Sequence, residues 1–325
     1  MNNIPLVSVA VITYNMEKYL PKLLDSILEQ KVNFEYEIVI SDDCSPDNSR
    51  QIILNYQVEY PGIIKTCFGS TNVGGSRNMY GVMQHCSGKY IAILEGDDWW
   101  EDENKLQYQV DFLESHHEYI GMTCNSWCDH GDEPEYDQLM RNHTQPEVFT
   151  YQDFMARHFH DRLPSSTDTW VFHNIFKEYP NEDFSLMYRA HNMIWDQPLI
   201  LMLYGKGNVY ADPKVVSHHR SVTRLDGTNY QSRIIQENLL YGDSKMYQCM
   251  EKYIENNLKS DCTPFYLVRG DVWIDAVFRA LITRKTEDKT AARQIWSDQE
   301  NRLMLMKLFI AKTYDILKRK ILKTN

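Results

Sequence analysis

A mostly parallel α/β sheet followed by a helical region is the fold that three features of this 325-residue chain predict. Apolar runs of strand length alternate with amphipathic stretches through the first half, separated by short connections. Each run ends in polar or acidic residues, as strands do where an open α/β sheet presents its ligand edge. From Asn229 onward the pattern becomes helical with few breakers.

Taken in order, Leu6 to Tyr14 is rich in β-branched residues, and Tyr19 to Gln30 carries Leu20, Leu23, Leu24, Ile27 and Leu28 at helical spacing. Tyr36 to Ser41 is the next strand, ending in Asp42, Asp43, Cys44 and Ser45, with Asp47 placed to cap a helix running to Tyr60. A strand over Ile63 to Phe68 leads into a glycine-bearing turn, Gly69 to Gly75, and a short helix, Ser76 to His85. Tyr90 to Trp100 (YIAILEGDDWW) is an apolar strand that breaks into Glu95, Gly96, Asp97 and Asp98. A helix over Asn104 to Glu114 and a strand over Gly121 to Trp127 follow. Asp129 to Glu147 is polar and aperiodic and reads as a loop. Beyond it the pattern predicts a helix at Tyr151 to His158, a strand at Asp168 to Phe172 and a helix at Pro198 to Tyr204. The tail predicts helices that include Gln236 to Ile254, Phe265 to Thr283 and Asn301 to Leu322. There is no internal repeat and no low-complexity segment.

A formal net charge of -11 argues against nucleic acid as the main partner. The segment Lys312 to Lys323 is basic and interleaved with apolar residues, a pattern that suits either an anionic membrane surface or a solvated helix with one buried face. No stretch has the apolar length of a membrane span, and MNNIPLVSV lacks a basic region followed by a long apolar core, so the expectation is a soluble, cytoplasmic protein. Seven cysteines without a paired framework fit a reducing compartment. Cys124, Cys128 and His130 lack the further ligand that a zinc site needs, and the sequon Asn142-His143-Thr144 carries no weight without a secretion signal.

The acids of Glu95 to Asp98 suit Mg²⁺ or Mn²⁺, which prefer oxygen ligands and take only one or two protein carboxylates beside water and phosphate. The same acids would also serve as a helix cap with a solvated neighbour, and for them alone both readings stand. Five segments together, VSVAVITYN, EIVISDDCSPDNS, NVGGSRN, YIAILEGDDWW and WDQPL, resemble in order the family-two inverting glycosyltransferases of GT-A fold, over Leu6 to Arg220. The resemblance implies a nucleotide-diphospho-sugar-binding domain over residues 1–225, with a donor half, 1–127, and an acceptor half, 128–225, before a helical region, 226–325.

On this resemblance Thr13 and Asn15 line the base and ribose pocket, and Asp42 accepts a hydrogen bond from the base. Asn72, Gly74 and Arg77 meet the diphosphate, through close backbone approach and a guanidinium clamp. Glu95 replaces the usual first aspartate and is assigned to ribose or a water-mediated metal contact, Asp97 to the metal, and Asp98 to an alternate ligand or helix cap. Asp196 aligns with the general base that deprotonates the acceptor hydroxyl as it attacks C1, with a helix cap as its competing reading. Trp195 beside it is the candidate acceptor-stacking residue. Where the family often has Tyr-Arg-x-His, this chain reads His219-Arg220-Ser221-Val222, so His218 or His219 replaces the ligand, or the metal relies on Asp97, phosphates and water; Arg220 is a donor contact. Glu182 and Asp183 are fallback bases.

The implied reaction moves a sugar from a nucleoside-diphosphate donor, of the uridine type, to a glycan, lipid-linked or protein-linked acceptor in bacterial surface polysaccharide or glycoconjugate synthesis, with Mn²⁺ or Mg²⁺. A sugar-nucleotide nucleotidyltransferase or a dinucleotide oxidoreductase is disfavoured, because TYNMEKYL after the first strand has no glycine. A non-catalytic nucleotide-sugar-binding module needs the acidic shelf but not Asp196, and stays open.

Overall fold

The computed structural model describes residues 4–130, 138–140, 143–157, 166–221, 240–299, 302–303 and 305–310. It divides into two compact units, one of Met1–Tyr188 with Asn192–Asn229 and one of Arg189–His191 with Tyr230–Asn325.

The first unit is an α/β sheet. Its elements are β1 (Val7–Thr13), α1 (Leu20–Leu28), β2 (Tyr36–Asp42), α2 (Ser49–Glu59), β3 (Ile64–Thr66), α3 (Gly75–His85), β4 (Tyr90–Glu95), β5 (Trp99–Trp100), α4 (Lys105–Ser115), β6 (Tyr119–Asp129), β7 (Gln138–Met140), β8 (Glu147–Phe149), α5 (Tyr151–Arg157), β9 (Val171–His173), α6 (Ile175–Glu178), α7 (Leu186–Arg189), α8 (Asp196–Tyr204) and β10 (Asn208–Arg220). Strand order is β3-β2-β1-β4-β9-β6-β10-β5, with β7 on β6 and β8 on β10. The four strands β3, β2, β1 and β4 run parallel, as do β6 and β10; β9 lies antiparallel between β4 and β6.

Register brings the chemistry to one edge. Thr13 stands opposite Asp42, and Ile12 opposite Glu95, so β1, β2 and β4 end together. The parallel strands are buried on both faces: every residue of β1 is buried, and Val7, Val9, Val11, Ile38, Ile40, Ala92 and Leu94 share one core with Leu20, Leu23, Leu24 and Ile27 of α1.

Two parts of the pattern-based reading are corrected, and a strand that it did not contain, β10, is added. The stretch Asp129 to Glu147 is not wholly loop: Gln138–Met140 pairs antiparallel with β6, and β8 begins at Glu147. The stretch Asp168 to Phe172 opens as a 3₁₀ turn, Thr167–Thr169, and becomes a strand only at Val171, because the Asp168 side chain is turned inward to hydroxyl donors. β10 has no clean alternation because Asp212-Pro213-Lys214 interrupts it, and the pairing register with β6 shifts between Ala211 and Val215. Val222, Asn142 and the basic segment Lys312 to Lys323 lie outside the described residues, as does most of the helix expected from Asn301.

The second unit is helical: α9 (Leu240–Tyr253) continues into a π turn, α10 (Thr263–Thr283) and α11 (Thr286–Ser297) follow, and residues 305–310 are helical. Its core is Trp273, Ile274, Ala276, Ala292, Ile295 and Leu305. Lys259 and Arg284 take left-handed conformations, with φ of 52° and 59°, where α9 and α10 end. Arg269 is buried and pairs with Glu251, and it also donates to the Asp298 carbonyl at 3.2 Å. No helix among the described residues is long and apolar enough to cross a membrane.

One buried cation carries a testable consequence. Lys105, at the start of α4, is fully buried, its Nζ lies 4.4 Å from the Trp100 ring centroid, and that nitrogen has no hydrogen-bond partner among the described residues. Burial pulls its pKa down to about 8. The unfolded chain therefore binds more protons between about pH 8 and 10.5, so stability attributable to this residue rises with pH through that window and is lowest below it. Replacing Lys105 with methionine should raise the melting temperature at pH 7, with the advantage shrinking by about 3 kcal/mol at most as pH approaches 10; a pH-independent difference in thermal unfolding would contradict this.

Candidate active site

The carboxyl edge holds an acidic turn that exists because of a glycine. At Gly96 a Cβ would lie 2.5 Å from Thr13 Oγ1 and 2.8 Å from Thr13 Cβ, so only glycine lets the turn after β4 rest on the end of β1. The Asp98 amide donates to the Glu95 carbonyl at 2.9 Å, closing the turn. Of the two residues expected to line the base and ribose pocket, Thr13 is consequently buried beneath the turn, whereas Asn15 is exposed, takes φ of 60° and has its amide tied to Ser45 Oγ at 2.8 Å.

Each acid of the turn meets a group from β10. Arg220 Nη1 donates to Asp97 at 2.9 Å, and its guanidinium carbon lies 4.2 Å from the Tyr19 ring centroid. The Arg220 amide donates to Asp98 at 2.9 Å, and His219 Nδ1 stands 3.2 Å from the same carboxylate. Asp98 holds the His219 imidazole well above its usual pKa. Burial, then the charges of Asp98 and Asp97, pushes Glu95 up to about 8, and Asp196 is near enough to add to that shift. Of the two histidines, His219 faces Asp98, whereas strand alternation points His218 the other way, stacked 4.7 Å from Trp99 and 3.1 Å from Glu101.

Asp168 was not anticipated, since nothing in its local sequence separates it from a strand residue. It is fully buried behind Asp98, accepting from Ser126 at 2.6 Å, Ser217 at 2.5 Å and Ser166. One ligand atom each from Asp98, Asp168 and His219 lie within 4.8 Å of one another, the only such three-donor group among the described residues. Two carboxylates and an imidazole fit a divalent cation, Mn²⁺ better than Mg²⁺ for the nitrogen donor. Asp97, the expected principal ligand, stands outside that group and is paired with Arg220. Among the described residues, the three-donor group does not include Cys124 or Cys128, which are free thiols.

The loop at the end of β2 is also self-engaged. Asp42 is fully buried and accepts from Arg50 Nε at 3.1 Å and from the Ser45 amide at 3.2 Å, so it has no surface to offer a base directly. Asp43, which the sequence reading passed over, accepts the Val73 and Gly74 amides at 2.8 Å each, and Asn72 Nδ2 donates to the Asp43 carbonyl at 2.9 Å. The role of Gly74 is therefore conformational: its φ is 84° and a Cβ would lie 3.1 Å from the Asn192 carbonyl. Arg77, one turn into α3, is exposed, with its guanidinium carbon 4.4 Å from the Tyr188 ring centroid.

Asp196 occupies the first turn of α8, after the N-cap Trp195, and there is no side-chain cap hydrogen bond at that helix start. Trp195 is 3% exposed and has no free face, which removes it as an acceptor-stacking platform. The fallback acids are engaged structurally: Glu182 pairs with Lys206, and Asp183 accepts the Ser185 amide at 2.9 Å.

An open α/β sheet with this acidic edge defines a protein of the GT-A, nucleotide-diphospho-sugar-binding type. The chain belongs to glycosyl transferase family 2, whose signature matches residues 8–180. An uncharacterized protein of Mycobacterium bovis is 38% identical over 111 residues, 34% of this chain and 32% of that one. The putative glycosyltransferase EpsE of Bacillus subtilis is 35% identical over 119 residues, 37% of this chain and 42% of that one. The poly(ribitol-phosphate) beta-N-acetylglucosaminyltransferase TarS of Staphylococcus aureus is 34% identical over 112 residues, 34% of this chain and 19% of that one. These matches span less than half of each relative. The crystal structure of TarS 1-349 in complex with UDP superposes with a TM-score of 0.54 at 17% identity, covering 89% of each chain, which is a likeness of fold.

The loop-bracing role of Asp43 has a direct readout. Asp43→Asn leaves one acceptor oxygen for two amides, so exchange of the Val73 or Gly74 amide hydrogen should accelerate markedly while the β1 amides stay protected. Unchanged exchange at both would show that the carboxylate does not brace this loop.

Proposed function

We propose that the chain is an inverting glycosyltransferase that takes a sugar from a nucleoside-diphosphate donor of the uridine type. The observation that carries this reading is the acidic turn Glu95–Asp98 at the joint end of β1, β2 and β4, with Asp196 close enough to shift Glu95. Ligands of open α/β sheets bind at that edge. TarS, whose fold is similar, has been crystallised with UDP and with UDP-GlcNAc, which supports a uridine donor here.

In this reading Asp196 is the general base. Its carboxylate sits in the first turn of α8, and it takes the proton from the acceptor hydroxyl as the oxygen attacks C1 of the sugar. Arg77 and Arg220 are the cations available to the diphosphate; Arg220 reaches it by exchanging its bond to Asp97. Asp98 and His219, with Asp168 behind them, would hold the divalent ion, and Asp97 joins when Arg220 leaves. When bound, that ion would neutralise charge growing on the departing diphosphate. The acceptor is a hydroxyl of a glycan, lipid-linked or protein-linked chain in bacterial surface polysaccharide or glycoconjugate synthesis, and the basic sequence Lys312 to Lys323 supports peripheral contact with an anionic membrane.

Asp196→Asn keeps the size of the side chain and removes its basicity. Sugar transfer should fall by roughly 10²- to 10⁴-fold, with donor affinity and melting temperature unchanged. Transfer within a few-fold of wild type would place the base elsewhere, and failure of the wild type to release nucleoside diphosphate from any nucleotide sugar would favour a binding module.

Donor affinity should also depend on divalent cation. Calorimetric titration of UDP-sugar with Mn²⁺ and with excess chelator is expected to differ at least tenfold, and Asp98→Asn should abolish the difference. Equal affinity under both conditions would exclude the cation from donor binding.

A further inference from the structure

We propose that Arg50 reads the nucleobase of the donor and selects a base with a carbonyl, not an amino group, on the edge it faces; this rests on the donor-site reading above. Arg50 is the second residue of α2, and its side chain spans the gap between the ends of β2 and β3. Nε donates to Asp42 Oδ2 at 3.1 Å. Nη2 donates to the Asp42 carbonyl at 3.2 Å and the Gly69 carbonyl at 3.4 Å, and lies 3.7 Å from Cys44 Sγ. The guanidinium carbon lies 4.7 Å from the Phe68 ring centroid. These contacts fix the plane of the group on one edge and one face.

The other edge is open. Nη1 has two N–H donors and no partner among the described residues, and the side chain is 37% exposed beside an Asp42 carboxylate that is fully buried. Neutralising Asp42 alone requires only the edge already used. A buried carboxylate held by a half-exposed guanidinium is also a costly device for stability, since an apolar pair of similar volume serves as well or better. What the pair supplies is a cation oriented to within the freedom of a planar fork, braced from below by an aromatic ring.

The chemistry of the open edge is one-sided, because a guanidinium donates hydrogen bonds and cannot accept them. Uracil O4 and guanine O6 are acceptors and complement it. The amino groups of cytosine and adenine would set hydrogens against hydrogens. Asp42, which the sequence reading placed in direct contact with the base, thus acts at one remove, by aiming Arg50.

The test is calorimetric titration of UDP, GDP, CDP, ADP and inorganic pyrophosphate into the wild type, Arg50→Lys and the double variant Asp42→Asn/Arg50→Met, with thermal melts of all three. Arg50→Lys keeps a cation beside Asp42, and the double variant leaves no buried charge unpaired, so folding and base reading are separated. The wild type should prefer UDP over CDP and GDP over ADP by roughly 10-fold or more. Both variants should lose most of that preference while binding pyrophosphate as the wild type does. The inference is overturned if either variant melts like the wild type and keeps its ranking, or if the wild type prefers the amino bases. Absence of nucleoside diphosphate binding in the folded wild type would overturn the donor-site reading itself, and this inference with it.

Discussion

Repulsion among carboxylates is the constraint under which the whole ligand edge is built. Asp42, Asp43, Glu95, Asp97, Asp98 and Asp168 gather on or just behind it, and four of them are buried. Like charges in such a space cannot all stay ionised unless each has its own counter-group. Asp42 has Arg50, Asp43 has two backbone amides, Asp97 has Arg220, Asp98 has His219 and an amide, and Asp168 has three hydroxyls. Glu95 has only the Thr167 hydroxyl at 3.2 Å, and it is the carboxyl whose pKa rises to about 8. Burial pushes Asp98 up as well, to about 7, against the lowering effect of His219.

That accounting explains why the far strand matters to the near half of the sheet. Arg220 and Asp97 are 123 residues apart in sequence, and they meet because β10 runs parallel to β6 and antiparallel to β5, bringing His218 opposite Trp99. Alternation then turns His218 to Glu101 and His219 to Asp98. A one-residue slip of β10 would exchange the two histidines and move Arg220 off Asp97. The bulges between Ala211 and Ser217 are where that register is set.

The parallel strands and α1 to α4 were legible in the sequence because buried parallel strands are short apolar runs and their helices are amphipathic, so period and length point the same way. β10 was hidden by Asp212-Pro213-Lys214, which looks like a turn and is in fact a kink within a strand. The acids of the site were legible by type but not by task. Asp42 and Asp43 are adjacent in one motif, and only the fold shows that the first is buried against Arg50 and the second faces the glycine loop. Trp195 looked like a sugar platform because tryptophan serves both at binding sites and in cores, and burial alone separates the two. Asp168 was not legible because, beside the neighbouring Ser166, what distinguishes it is two serines brought in from β6 and β10.

A consequence follows for how the edge meets a ligand. The groups that the sequence assigned to donor and cation are already bonded to one another, because a buried polar group left unpaired costs about 1–3 kcal/mol, more when charged. On the function proposed above, binding at this edge would therefore be an exchange of partners. For a diphosphate and a divalent ion the exchange would balance: Arg220 would serve the anion, the Asp97 it releases would be free for the cation, and no carboxylate would be left uncompensated. A diphosphate alone would draw Arg220 away and leave Asp97 facing Asp98 unscreened. A cation alone would meet an acid already neutralised. If donor and cation bind as proposed, the internal ion pair would penalise either ligand by itself and favour the two together, a coupling produced by charge balance and needing no large movement of the fold.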